Sequence, residues 1–207
     1  MGKKVFSLED FDLALRKAKE AIKKDGLIIY PTDTVYGIGC NALSRKAVEK
    51  VYLLKGREEK KPLSIVVSDI EMLLQYCNAG KKEIDAIERF LPGPYTLLLK
   101  RKKKIAAATG EKIGIRVPEH FFIITLVRQL GVPIVSTSAN RKGGKPPAKV
   151  EEIDGRIRRG VSVIIDGGRC RHGKGSTVID LVEGKVLRKG AVKKEEMVFE
   201  EEGSGAA

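Results

Sequence analysis

Several stretches of the chain gather small hydroxyls, an amide and cations beside apolar runs. In "VPIVSTSANRKGGKPPAKV", residues 132–150, Val132, Ile134 and Val135 read as core, and Ser136, Thr137, Ser138, Ala139 and Asn140 follow at the mouth of the strand. Side chains on a strand alternate faces, so continued extension puts Ser136, Ser138 and Asn140 on one side. Such groups donate to oxygen atoms without crowding them. Gly143, Gly144, Pro146 and Pro147 then form a loop where backbone can approach a ligand closely. "YPTDTVYGIG", residues 30–39, repeats the device: Thr32, Thr34 and Tyr36 share a face by the same period. "KGR" supplies Lys55 as a point charge and Arg57 as a planar fork for phosphate. Arg116 interrupts the apolar "GIRVP", where an unpaired cation is costly, so it needs an anion from the protein or from a ligand. Arg188 in "VLRKG" raises the same question.

Each stretch alone has a plainer explanation. A Ser/Asn-rich turn caps a following helix, Thr is a good strand former, and cations are favoured at a helix C-terminus. Together the groups are suited to orienting anions, and other chemistries lack their parts. The chain has two histidines, His120 and His172, no G-x-S-x-G elbow and no H-E-x-x-H, so it does not read as a covalent-nucleophile enzyme. "GRCRHGKGS", residues 168–176, is close to a Walker A loop, but Gly175 stands where Ser or Thr should follow the lysine. The downstream "TVIDLVEGKVLR" is strand-like, whereas a phosphate loop needs a helix N-terminus behind it. Ser176 and Thr177 still qualify as ligand-facing residues. Cys170 and His172 lack a second ligand pair, so no metal site is expected.

The bulk numbers agree with one soluble domain: 207 residues, 42% hydrophobic and 32% charged. With 40 Lys+Arg against 27 Asp+Glu the net charge is +13, which favours nucleotides, nucleic acid or a lipid surface as partners. A Lys/Glu-rich surface of the heat-adapted kind is the alternative source of that balance. Apolar runs such as 121–127 are too short to span a bilayer, and no secretory leader follows the initial Met. Three scattered cysteines suit a reducing compartment. A cytoplasmic protein without a membrane partner is expected.

These residues must be positioned by alternating elements. Ser7 caps an expected helix carrying Leu8, Phe11, Leu15, Ala18 and Ile22 on one face and stopping at Gly26. Ser44 caps a second, with Ala47, Val48, Val51 and Leu54 inward, ending near Gly56. Further helices are expected over 68–76, 82–90 and 118–130. Strands are expected over 27–30, 63–67, 95–100, 113–117, 132–136, 161–166, 177–182 and 185–188. The alternation predicts an α/β fold, and the short strands near the end predict a mixed sheet. One domain over 1–194 and a frayed tail over 195–207 complete the expectation.

Taken in order, "YPTDTVYGIG", "KGR", "KPLSIVV", "LPGPYTLLL", "GIRVP", "STSAN", "GKPP", "STVIDL" and "VLRKG" resemble the YrdC-like family, the threonylcarbamoyl-AMP synthases, from about residue 20 to 191. The spaced pair K-x-R and S-x-N is the hallmark, and both halves are present. The resemblance implies an open twisted mixed sheet with flanking helices and a basic concave cavity. It implies a nucleotidyltransferase that joins L-threonine, bicarbonate or carbon dioxide, and ATP with Mg²⁺, releasing pyrophosphate. A partner transferase would then modify adenosine 37 of tRNAs reading ANN codons, with tRNA itself a further candidate partner. By the same resemblance, Lys55, Arg57, Ser138 and Asn140 hold the ATP phosphates, and Lys61 and Arg188 add contacts to the nucleotide. Thr34, Arg116, Ser136 and Ser176 hold threonine, with Thr32 and Tyr36 shaping that pocket.

Two positions depart from the longer members: Val66 occupies the region where they carry a histidine, and Glu58 follows K-G-R where they often have proline. The longer members also have an extra C-terminal domain, so this chain resembles the single-domain type. A related domain in hydrogenase maturation transfers carbamoyl groups, but the segments that accompany it there are missing here. The other alternative is a non-catalytic RNA-binding module for double-stranded RNA or tRNA. Its best feature is "KRKKK", residues 100–104, which also reads as a solvated hairpin tip and has no interleaved aromatics.

Overall fold

The computed structural model describes residues 4–56 and 62–192. Arg57, Glu58, Lys61 and the expected tail over 195–207 lie outside them. In chain order the elements are β1 (Val5–Ser7), α1 (Phe11–Lys23), β2 (Ile28–Tyr30), β3 (Gly37–Gly39), α2 (Arg45–Lys55), β4 (Ser64–Val66), α3 (Ile70–Leu74) and β5 (Cys77–Asn78). They continue with α4 (Lys81–Phe90), β6 (Tyr95–Arg101), β7 (Lys112–Arg116), α5 (Phe121–Leu130), β8 (Ile134–Ser138), α6 (Gly155–Arg159), β9 (Val163–Asp166), β10 (Thr177–Asp180) and β11 (Lys185–Arg188).

All these strands join one mixed sheet in the order β1-β9-β2-β3-β8-β4-β7-β6-β10-β11, with β5 beside β6. β9 pairs parallel with β1 and β2, and β4–β7 and β6–β10 are also parallel. β3 and β8 run antiparallel to their neighbours.

Alternation along the strands makes two apolar layers. Ile28 and Tyr30 of β2, with Val163 and Ile165 of β9, pack under α1 and α5. Ile29 and Ile164 between them face the larger cluster, which holds Ala47, Val48 and Val51 of α2 and Ile87 and Phe90 of α4. Val66 and Ile134 belong to the α1–α5 layer. Beyond them the same sheet face carries Ser64, Thr96, Arg116, Ser136 and Val178, which line a recess. The intervening Ile65, Leu97, Ile115, Val135 and Ile179 are core. The site is thus the part of one sheet face that the two helices leave uncovered.

Local differences from expectation have local causes. Ser7 caps a single 3-10 turn, Leu8–Asp10, and α1 begins after it with the Asp10 carboxylate accepting from the Leu13 N–H. α3 is shorter than expected, because Asp69 caps it and Tyr76 already leaves it for β5. β8 runs to Ser138, since Thr137 and Ser138 pair with Ile38 and Gly37 of β3. β1, β3, β5 and α6 were not anticipated. β3 is two glycines around one isoleucine, a composition poor in strand propensity.

Candidate active site

The recess has a volume of about 210 Å³ and is rimmed by the ends of β4, β6, β7, β8, β10 and β11 and by the turn before β3. Arg116 is the last residue of β7 and is 6% exposed. Its Nη2 donates to Asp33 Oδ1 at 2.8 Å, and its Nε donates to the Tyr95 carbonyl at 3.2 Å. The anion that an arginine in an apolar strand requires is therefore a protein carboxylate, supplied from the turn before β3. Among the described residues the other carboxylate oxygen, Asp33 Oδ2, is buried and has no hydrogen-bond partner.

That turn is organised by Thr32. Its hydroxyl donates to the Val35 carbonyl at 2.7 Å and accepts from the N–H groups of Thr34 and Val35 at 3.1 and 3.2 Å. The Thr34 hydroxyl lies 2.9 Å from the same oxygen, whose proton is already used, so Thr34 donates to it. The chain is bent here, and the period-two expectation for 32–36 fails because a Thr hydroxyl replaces a neighbouring strand as partner for these amides. Thr34 forms the recess wall, but Thr32 lies behind it. Tyr36 faces the other layer, where its hydroxyl donates to the Gly168 carbonyl at 2.7 Å and burial raises its pKa. Tyr36 thus ties β3 to the loop after β9.

Opposite Arg116, the Arg188 guanidinium closes over Ser176. Nη2 donates to the Ser176 carbonyl at 3.0 Å and to its hydroxyl at 3.2 Å. The Ser176 hydroxyl is 2.7 Å from that of Thr96. Partial desolvation, and then the charge of Arg116, lower the Arg188 pKa, so the two guanidinium groups feel each other across the recess. Gly190 permits this approach: a Cβ there would lie 2.2 Å from both the Gly175 oxygen and the Ser176 carbonyl carbon. Its N–H donates to Thr177 Oγ1 at 3.0 Å.

Lys55 of the K-x-R half meets the S-x-N half beside the recess. α2 is capped by Ser44 and stopped at Gly56, whose φ of 60° is left-handed, which leaves Lys55 at the helix C-terminus. The buried Lys55 ammonium donates to the carbonyls of Ser138 and Asn140, the latter at 2.7 Å. Lys55 is therefore a point charge anchored on the backbone of the S-x-N stretch. The Asn140 amide nitrogen donates to the carbonyls of Arg141, at 2.9 Å, and Gly144. Its Oδ1 is buried without a partner among the described residues. Asn140 stands past a bend, its N–H on the Ser138 carbonyl, so it does not continue the Ser136–Ser138 row. Ser138 lines the recess; Lys55 and Asn140 adjoin it through Ser138.

Among the polar residues in or beside the recess, the sequence reading missed Asp33, Ser64 and Thr96. Ser64 sits directly opposite Ser136 in the β4–β8 register, and Thr96 pairs with Val178. Both lie inside quoted motifs at positions alternating with core residues, which is the signal that could have found them. Val66 is wholly buried in the α1–α5 layer and does not line the recess. The basic tip is partly engaged with its own chain, since the Lys103 ammonium lies 4.4 Å over the Tyr76 ring. Among the described residues no group of three His, Cys, Asp or Glu could hold a metal ion. Cys40, Cys77 and Cys170 are all buried free thiols, with Cys77 and Cys170 pushed up to about 11 by burial.

The Sua5/YciO/YrdC family model, which carries the description telomere recombination, matches residues 20–190. A relative from Methanocaldococcus jannaschii is 39% identical over 188 residues, covering 89% of each chain. The Mus musculus protein named threonylcarbamoyl-AMP synthase is 35% identical over 191 residues, 86% of this chain and 67% of its own. The crystal structure of Pyrococcus abyssi Sua5 complexed with L-threonine superposes with a TM-score of 0.81 at 31% identity, covering 91% of this chain and 58% of that one. On sequence and fold alike, the chain belongs to the Sua5/YciO/YrdC family.

Proposed function

We propose that the chain makes L-threonylcarbamoyl-AMP from L-threonine, bicarbonate or carbon dioxide, and ATP, acting as a nucleotidyltransferase. The observation that carries this reading is the shared recess. An arginine with a carboxylate partner, a row of small hydroxyls and a second guanidinium converge there, with the joined Lys55–Ser138–Asn140 group at its side. The relatives named above support it by name, and the Pyrococcus protein by its bound threonine.

The chemistry needs positioning and charge more than a nucleophilic side chain. The threonine amine takes up carbon dioxide and loses a proton to give an N-carboxylate. A carboxylate oxygen attacks the α-phosphorus, and the bond to the bridging oxygen breaks, its electron pair leaving with pyrophosphate. Arg116 donates to the threonine carboxylate, with Thr34, Ser136 and Ser176 enclosing the rest of the amino acid. Arg188 and Ser138 face the phosphates, and Lys55 adds charge while ordering the Ser138–Asn140 backbone. Arg57 and Lys61 belong to the same phosphate group by the sequence motif. No carboxylate lines the recess among the described residues, so the residues present fit phosphate oxygens rather than Mg²⁺ itself. Mg²⁺ is assigned to the ATP it arrives with.

The mixed anhydride product is proposed to pass to a transferase acting on adenosine 37 of tRNA, and the cytoplasm is the compartment proposed for the reaction. Among the described residues no helix is long and apolar enough to cross a membrane. The test is pyrophosphate release in mixtures lacking one component at a time. Release should require ATP, threonine and bicarbonate together; equal release without threonine would overturn the assignment.

A further inference from the structure

Two guanidinium groups share the recess, yet their surroundings differ. Arg188 is held by neutral oxygens of Ser176, through both carbonyl and hydroxyl. Arg116 is held by a carboxylate, 2.8 Å away on a side chain with no exposure, and by the Tyr95 carbonyl. Its own side chain is only 7% exposed, so it offers the recess one edge of fixed direction. The paired charge of Arg116 and Asp33 is close to zero seen from the recess, whereas Arg188 keeps its full charge.

We infer that Asp33 is a positioning residue: it aims Arg116 and cancels its charge, reserving that end of the recess for the carboxylate of a zwitterionic amino acid and the Arg188 end for the triphosphate. The inference rests on the threonine reading above. A bare guanidinium at Arg116 would draw any phosphate into the amino-acid subsite, and ATP, pyrophosphate and free phosphate would compete with threonine. Paired with Asp33, the same group recognises a planar carboxylate by hydrogen-bond geometry, with little net attraction for a polyanion. The Asp33 carboxylate does not line the recess, so it acts through Arg116 and touches no substrate.

The experiment measures threonine-dependent pyrophosphate release with inorganic phosphate as the probe, at constant ionic strength, in the native chain, Asp33→Asn and Asp33→Ala. In the native chain phosphate should leave the threonine KM within about twofold, because the subsite is electrically neutral. Asp33→Asn keeps an acceptor for Nη2 and removes the charge, so phosphate should become competitive with threonine. Asp33→Ala also removes the acceptor, and should raise the threonine KM by about tenfold without phosphate while the ATP KM stays within about twofold. A folded Asp33→Asn chain with no competition, or threonine and ATP KM values that rise together, would overturn the inference. Should neither variant fold, competition between phosphate and threonine in the native chain would overturn it and its absence would support it. Loss of threonine dependence in the native chain would instead sink the underlying functional reading, so the two failures are distinguishable.

Discussion

Hydroxyl protons decide much of this site. Thr32 satisfies two buried amides and one carbonyl within four residues and fixes the turn that carries Asp33 and Thr34. Thr32→Val keeps the shape but leaves both N–H groups without that acceptor, which should cost about 1–3 kcal/mol in a urea melt. Thr32→Ser keeps the oxygen and should lose less; a loss in Thr32→Ser larger than that in Thr32→Val would show that the methyl, not the hydroxyl, holds the turn. The motif marked Thr32 as important, and the hydrogen bonds of its hydroxyl are what the spacing did not reveal. Period-two reasoning sees side-chain direction in an extended chain and has no term for a hydroxyl that competes with the ladder. Arg116 was more legible. A cation in an apolar strand demands an anion on energetic grounds alone, although sequence could not say that Asp33, 83 residues away, supplies it.

Elements were legible where periodicity was long and blurred where it was short. α1 was recognised from spacing, α2 from spacing and its Ser44 cap, and β6, β7 and β10 from apolar runs. Strands of two or three residues, such as β3 and β5, exist because neighbours complete them, and no local pattern announces that. The close approach of the chain after β11 to the start of β10 is of the same kind. Gly190 lies against the backbone of Gly175 and Ser176, and any Cβ must push β11, with Arg188, away from Ser176. Gly190→Ala should therefore destabilise the fold by about 1–3 kcal/mol and raise the KM for ATP more than that for threonine. Gly110→Ala is the control, since a Cβ there meets nothing within 4 Å, and should stay within about 0.5 kcal/mol. An unchanged Gly190→Ala chain would show that β11 adapts without moving its arginine.

At the scale of the whole molecule, the net charge of +13 poses a question that no single contact answers. The uncovered part of the sheet face adds Arg188 to that field, while Arg116 is compensated within the fold. ATP carries several negative charges and threonine carries none in balance, so the two substrates should feel the field differently. At 0.15 M salt the screening length is about 8 Å, which leaves a sizeable part of the field within reach of an approaching nucleotide. Raising salt from about 0.05 to about 0.5 M should raise the KM for ATP several-fold and shift that for threonine by less than about twofold. The contrast matters more than either slope. Matching slopes would mean that the surplus of lysine and arginine does not steer the nucleotide, and that its purpose lies with another anionic partner or with solubility alone.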